Sequence, residues 1–117
     1  MIKLPEKLTS IGDNAFAGAS IQLVINNSSL NITTGSTSNG SVARYAKAVV
    51  NKNDERFENC VFKTIDNFIT LVYYDGSDND VVLPNKYNNN NYTIGSSSFA
   101  CNQNIKSIKF PTSIFNI

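Results

Sequence analysis

Histidine and tryptophan are absent from the 117 residues. Without histidine the chain lacks the side chain most often used as a general base and as a metal ligand. A cysteine nucleophile would likewise have no imidazole to deprotonate it. Charge of one sign is also missing. Ten basic and nine acidic side chains leave a formal charge of +1, which excludes the long-range field that steers proteins to nucleic acid or to an anionic membrane. No apolar run is long enough to span a bilayer, so no membrane insertion is expected. The first residues lack a charged segment followed by an apolar one, so the signal of an exported parent is expected upstream.

What is present is ordinary in amount and unusual in arrangement. The hydrophobic fraction is 41%, enough for one folded domain with a modest core. Asparagine is over-used and clustered, as at Asn88 to Asn91. Cys60 and Cys101 are two, too few for a disulfide framework. Buried packing is the default for both, and a bond between them is the alternative.

The three prolines repeat a pattern: Ile2-Lys-Leu4-Pro5, Val81-Val-Leu83-Pro84 and Ile108-Lys-Phe110-Pro111. Alternating apolar residues before proline predict short strands that the proline ends, because it cannot donate the next ladder bond. After Pro5 come Leu8 and Ile11-Gly12-Asp-Asn-Ala15-Phe16. After Pro84 come Tyr87 and Ile94-Gly95-Ser-Ser-Ser98-Phe99. Pro84 and Pro111 are 27 residues apart, within the range of a leucine-rich repeat, and Ile105, Ile108 and Phe110 fill its L-x-x-L-x-L places. Each such unit has an apolar face that only a stacked neighbour can bury. Phe16 and Phe99 are therefore expected inside, with Gly12 and Gly95 where the backbone bends or packs closely.

The string Leu8-Thr-Ser-Ile-Gly-Asp-Asn-Ala-Phe-Ala-Gly18 resembles the core of BspA-like leucine-rich repeats, and Thr93 to Pro111 resembles it again. The family's usual cysteine, three places after the phenylalanine, is Ala19 in one copy and Asn102 in the other. Ser41-Val-Ala-Arg-Tyr-Ala46 and Leu71-Val-Tyr-Tyr-Asp-Gly76 are similar to an interruption that many members carry, a short helix and then a strand pair. The resemblance implies a cell-surface or secreted protein that adheres to a host or neighbouring-cell surface protein or glycan.

Residues 26–80 do not fit the repeat. Ser41 reads as an N-cap for a helix over 41–50, with Val42, Tyr45, Ala46 and Val49 on one face. Asn51 to Glu58 reads as a charged loop. Cys60–Ile65 and Phe68–Tyr74 read as strands joined by a tight turn at Asp66-Asn67, giving a β-hairpin over 60–74. Asp75-Gly76 then starts a further turn toward the strand at Val81.

The candidate chemistry is sparse. Asp75, Ser77 and Asn79 have the alternation of a calcium loop, but Lys86 stands where its closing glutamate belongs, so a hairpin turn is the better reading. Tyr73, Tyr74, Tyr87 and Tyr92 suggest a stacking surface for sugar or protein, with core packing favoured for most of them. Lys52 to Arg56 is a mixed-charge loop. Asn39-Gly-Ser41 and Asn91-Tyr-Thr93 are glycosylation triplets of the kind chance supplies in such a chain. No set of residues makes a catalytic, cofactor or metal site, and no ligand-binding residue stands out.

The expected fold is α+β: a short leucine-rich-repeat solenoid fragment over 1–25 and 81–117, interrupted over 26–80 by a small helix-plus-β-meander module. The expected function is non-catalytic binding or adhesion, with an architectural spacer in a longer array as the alternative. Weak self-association is expected through the open repeat end.

Overall fold

A computed structural model describes residues 1–100 and 102–112. Its strands are β1 (Ile2–Leu4), β2 (Leu23–Asn26), β3 (Ala48–Asn51), β4 (Cys60–Ile65), β5 (Phe68–Tyr74), β6 (Asp80–Val82), β7 (Thr93–Ile94) and β8 (Ser107–Lys109). A single 3-10 turn, Asn39–Ser41, is the only helical element among the described residues. The chain divides into two compact units, Met1–Asp54 and Glu55–Ile117.

The first unit is solenoid-like. β1, β2 and β3 pair in parallel, with Ile2 opposite Val24 and Val24 opposite Val49. Each strand is thus one coil further along the chain than its neighbour. The bonds continue past the strand ends: Asn27 N–H donates to Leu4 O at 3.1 Å, and Lys47 N–H to Gln22 O at 2.8 Å. Leu4, Val24, Ile32, Val42, Ala43 and Val49 are buried together, with Leu8, Ile11 and Phe16 packed against them. Each large aliphatic side chain removed from water in this way contributes about 1.5–3 kcal/mol.

This stack overturns the α+β expectation. The segment read as a helix over 41–50 holds no α-helix. It begins with Gly40 and Ser41 at φ 67° and 62°, a left-handed pair that cannot start a right-handed helix. A series of turns follows, and the segment ends in β3. Of the four residues assigned to one helical face, Val42 and Val49 are buried while Tyr45 is 55% exposed. An isolated ten-residue helix is marginal, whereas Ala48-Val49-Val50 gains a full in-register ladder against Leu23-Val24-Ile25. Tertiary pairing wins, and the supposed interruption supplies the third coil.

The second unit holds two sheets. β4 and β5 form an antiparallel hairpin with a register shift at Val61/Phe62, and β7 adds to β5 in parallel. Asp66 and Asn67 turn the hairpin with φ 51° and 68°, the left-handed pair that a type I′ turn requires. β6 pairs with β8 in parallel, Val81 opposite Ile108. β5 and β6 therefore lie in different sheets, so Asp75 to Asp80 is a crossover rather than a hairpin turn, and no meander forms. Cys60, Leu71, Tyr74, Val81, Leu83 and Tyr92 make the core, with Phe62, Tyr87, Ile94 and Phe99 packed on it. Gly95 has the close packing expected of it: a Cβ there would stand 3.1 Å from Leu71 O, whereas one at Gly12 would meet nothing within 4 Å.

Candidate functional site

Three two-residue turns of the same form shape the second unit. Phe57 and Cys60 exchange backbone bonds of 2.9 and 2.8 Å around Glu58-Asn59, and Tyr87 and Asn90 exchange bonds of 2.9 Å around Asn88-Asn89. Glu58, Asn59, Asn88 and Asn89 all have positive φ. Asparagine tolerates this region because its short polar side chain can bond locally. Asn88 to Asn91 is thus an ordered turn. Asn90 Nδ2 donates to Asn88 O at 2.9 Å, and Lys86 Nζ to Asn91 Oδ1 at 2.8 Å.

Two of these turns carry aromatic residues at their first position, and the rings meet. Phe57 lies edge-on to Tyr87 with centroids 5.8 Å apart. Tyr87 stacks on Phe62 at 4.2 Å and 17°, and Phe62 meets Tyr92 edge-on at 4.9 Å. The series runs from the surface, where Phe57 is 39% exposed, to the core, where Tyr92 is buried. Tyr92 donates its hydroxyl to Pro84 O at 2.6 Å. Burial, and then the charges of Cys60 and Glu58, raise its pKa. Offset and edge-to-face rings at these separations attract one another beyond their area burial. The result is an aromatic cluster that reaches the surface at Phe57, with the exposed Asn59, Asn88 and Asn89 in the turns that carry Phe57 and Tyr87.

The four tyrosines singled out from sequence are not brought together as a surface. Tyr73, Tyr74 and Tyr92 are buried, and only Tyr87 is partly exposed. Sequence reasoning missed Phe57 and Phe62. A usable signal was present, since Phe57 precedes Glu58-Asn59 as Tyr87 precedes Asn88-Asn89.

The acidic segment does not converge. Asp75 accepts from Arg56 Nε at 3.0 Å, Asp78 from the Tyr74 hydroxyl at 3.3 Å, and Asp80 from Ser107 Oγ at 2.6 Å. Among the described residues no group of three His, Cys, Asp or Glu is placed to hold a metal ion. Cys60 is a buried free thiol, and burial, followed by the Glu58 charge, pushes its pKa up to about 12. It is therefore neutral and unreactive at pH 7. Cys101 lies outside the described residues. No helix among the described residues is long and apolar enough to cross a membrane.

No family model, curated protein or solved structure matches this chain.

Proposed function

We propose that this chain is a non-catalytic binding module of a cell-surface or secreted protein of the BspA-like leucine-rich-repeat kind, and that it adheres to a glycan. The observation that carries this reading is the Phe57–Tyr87–Phe62 ring cluster, which reaches the surface at Phe57 on turns that also hold exposed asparagines. Aromatic rings held rigid by one another lose little entropy on binding. They offer flat apolar area to the C–H face of a pyranose, and amides offer both donors and acceptors to its hydroxyls.

The test is binding of the folded chain to arrays of glycans and matrix proteins, beside Phe57→Ala and Tyr87→Ala variants checked to be folded. Each variant should lose about tenfold or more in affinity, as anchor residues do. Glycan binding that survives both substitutions would sink the site, and binding to proteins alone would sink the ligand class. The in-register coils of the first unit favour a second reading, an architectural spacer in a longer array, which silence on every array would support.

A further inference from the structure

The corner that opens the third coil is built from consecutive left-handed residues. Asn39, Gly40 and Ser41 have φ 52°, 67° and 62°. Ser41 N–H donates to Ser38 O at 3.2 Å, closing a two-residue turn around Asn39-Gly40. Positive φ at both central residues makes this turn type I′. Gly40 is buried, and the place demands glycine, because a Cβ there would stand 2.7 Å from Ile11 Cγ2 and 2.8 Å from Gly12 O. Its carbonyl accepts from Phe16 N–H at 2.8 Å. Asn39 is held by its main chain and its side chain. Its carbonyl accepts from Val42 N–H at 3.2 Å, and its Nδ2 donates to Asn31 O at 3.1 Å.

These demands select a pair that is chemically fragile in an open chain. Asn39-Gly40 is the only asparagine-glycine step in the 117 residues. Glycine has no side chain to shield its amide nitrogen, so that nitrogen can attack the carboxamide before it. The Gly40 N–Cγ bond then forms, the Cγ–Nδ2 bond of Asn39 breaks, and the Gly40 amide proton leaves with the nitrogen as ammonia. Water opens the resulting succinimide. Opening at Cγ gives aspartate, and opening at the main-chain carbonyl gives isoaspartate, whose backbone runs on through Cβ and Cγ. Water is the sole co-reactant and nothing is oxidised or reduced.

The folded corner keeps the two reacting groups apart. In the left-handed region the Cβ of a residue lies beside its own carbonyl oxygen. The next nitrogen therefore stands on the far side of the Cα–C bond, whereas ring closure needs it on the Cβ side. Turning the Asn39–Gly40 peptide that far would take the Gly40 carbonyl from Phe16 N–H, and the packing of Gly40 against Ile11 and Gly12 leaves little room for it.

We propose that Asn39 is a self-modification site gated by the fold. It stays intact while the corner is closed, converts through the succinimide when the corner opens, and in its isoaspartate form prevents the third coil from closing again. The isoaspartate lengthens the backbone by a methylene at a place that has no room for a Cβ. Either product also sets a carboxylate in place of the amide that donates to Asn31 O. The mark is irreversible and records opening of the first unit. It involves no residue of the ring cluster and does not depend on what that cluster binds.

The test incubates the 117-residue protein in mildly alkaline buffer, folded and in urea, beside a synthetic peptide of residues 34–46. Peptide mapping by mass spectrometry, with aspartate and isoaspartate forms separated, reads conversion at Asn39. The peptide and the urea-unfolded chain should convert at similar rates, and the folded protein about tenfold or more slowly. Folded protein that converts as fast as the peptide would overturn the gating, and an Asn39 that survives in urea would overturn the site. The isoaspartate form made in urea is then returned to buffer beside unconverted chain treated in the same way, and amide exchange is read by NMR. Val24 and Val49 should exchange about tenfold or more faster in the isoaspartate form. Equal protection in the two would show that the coil closes over the longer backbone, against the proposal.

Discussion

Asn26 is buried at the end of β2 and binds its own coil and the next one together. Its Nδ2 donates to Leu30 O at 2.8 Å and to Asn51 Oδ1 at 3.2 Å, and its Oδ1 accepts from the Ser28 amide and hydroxyl. Asn26 and Asn51 face each other in the ladder. An Asn26→Ala change leaves the Leu30 carbonyl and the Ser28 amide without partners. Each such buried group costs about 1–3 kcal/mol, so urea unfolding should show a loss of about 2–4 kcal/mol with an unchanged m-value. A loss below about 0.5 kcal/mol would mean that water reaches the site. Composition gave no hint of this role, because the chain is rich in asparagine and burial picks out Asn26. The tyrosines teach the same point in reverse. Tyr73 and Tyr74 invite a surface role in sequence, yet both are core residues, and replacing them would test folding instead of recognition.

Among elements, the short turns were legible where their chemistry is local. Asp66-Asn67 between two β-rich runs implied a hairpin, and the antiparallel pairing of Cys60–Ile65 with Phe68–Tyr74 is found there. Ile2 and Leu4 before Pro5 likewise lie in a strand, and so does Ile108 before Pro111, while Phe110 stands outside it. The coil containing Gly40 was not legible, since its alternative as a helix satisfies the same apolar spacing. Gly40 is the residue on which that coil depends, through both its φ of 67° and its lack of a side chain. Gly40→Ala should destabilise the first unit by about 2 kcal/mol or more, combining a left-handed alanine with a forced shift of Ile11 or the Gly12 carbonyl. Thermal unfolding read beside amide exchange at Val24 and Val49 checks this. Unchanged exchange there would show that the corner yields without disturbing the stack.

For the whole molecule, burial of acidic hydroxyl and thiol groups sets an alkaline limit. Cys60, Tyr74 and Tyr92 all have pKa values raised first by burial. In the unfolded chain these groups ionise near their ordinary values, about 9 for the thiol and about 10 for the phenols. Above those values the unfolded state releases protons that the folded state still holds, so stability falls as pH rises. It should be fully present below about pH 9 and decline from there towards pH 12. Urea midpoints measured across this range should fall steadily, and Cys60→Ala should fall less steeply. A flat profile would mean that these groups gain solvent without unfolding. The sequence by itself determined a repeating chain of proline-ended strands and Ile-Gly turns and a hairpin at 60–74, because those signals act within a few residues. Only the tertiary structure decided that residues 26–51 complete a third coil, that the crossover at Asp75 separates two sheets, and that Phe57, Phe62 and Tyr87 meet in one cluster. Those outcomes depend on which distant strand offers a ladder in register and which side chain fits between coils, and residue spacing along the chain does not encode either.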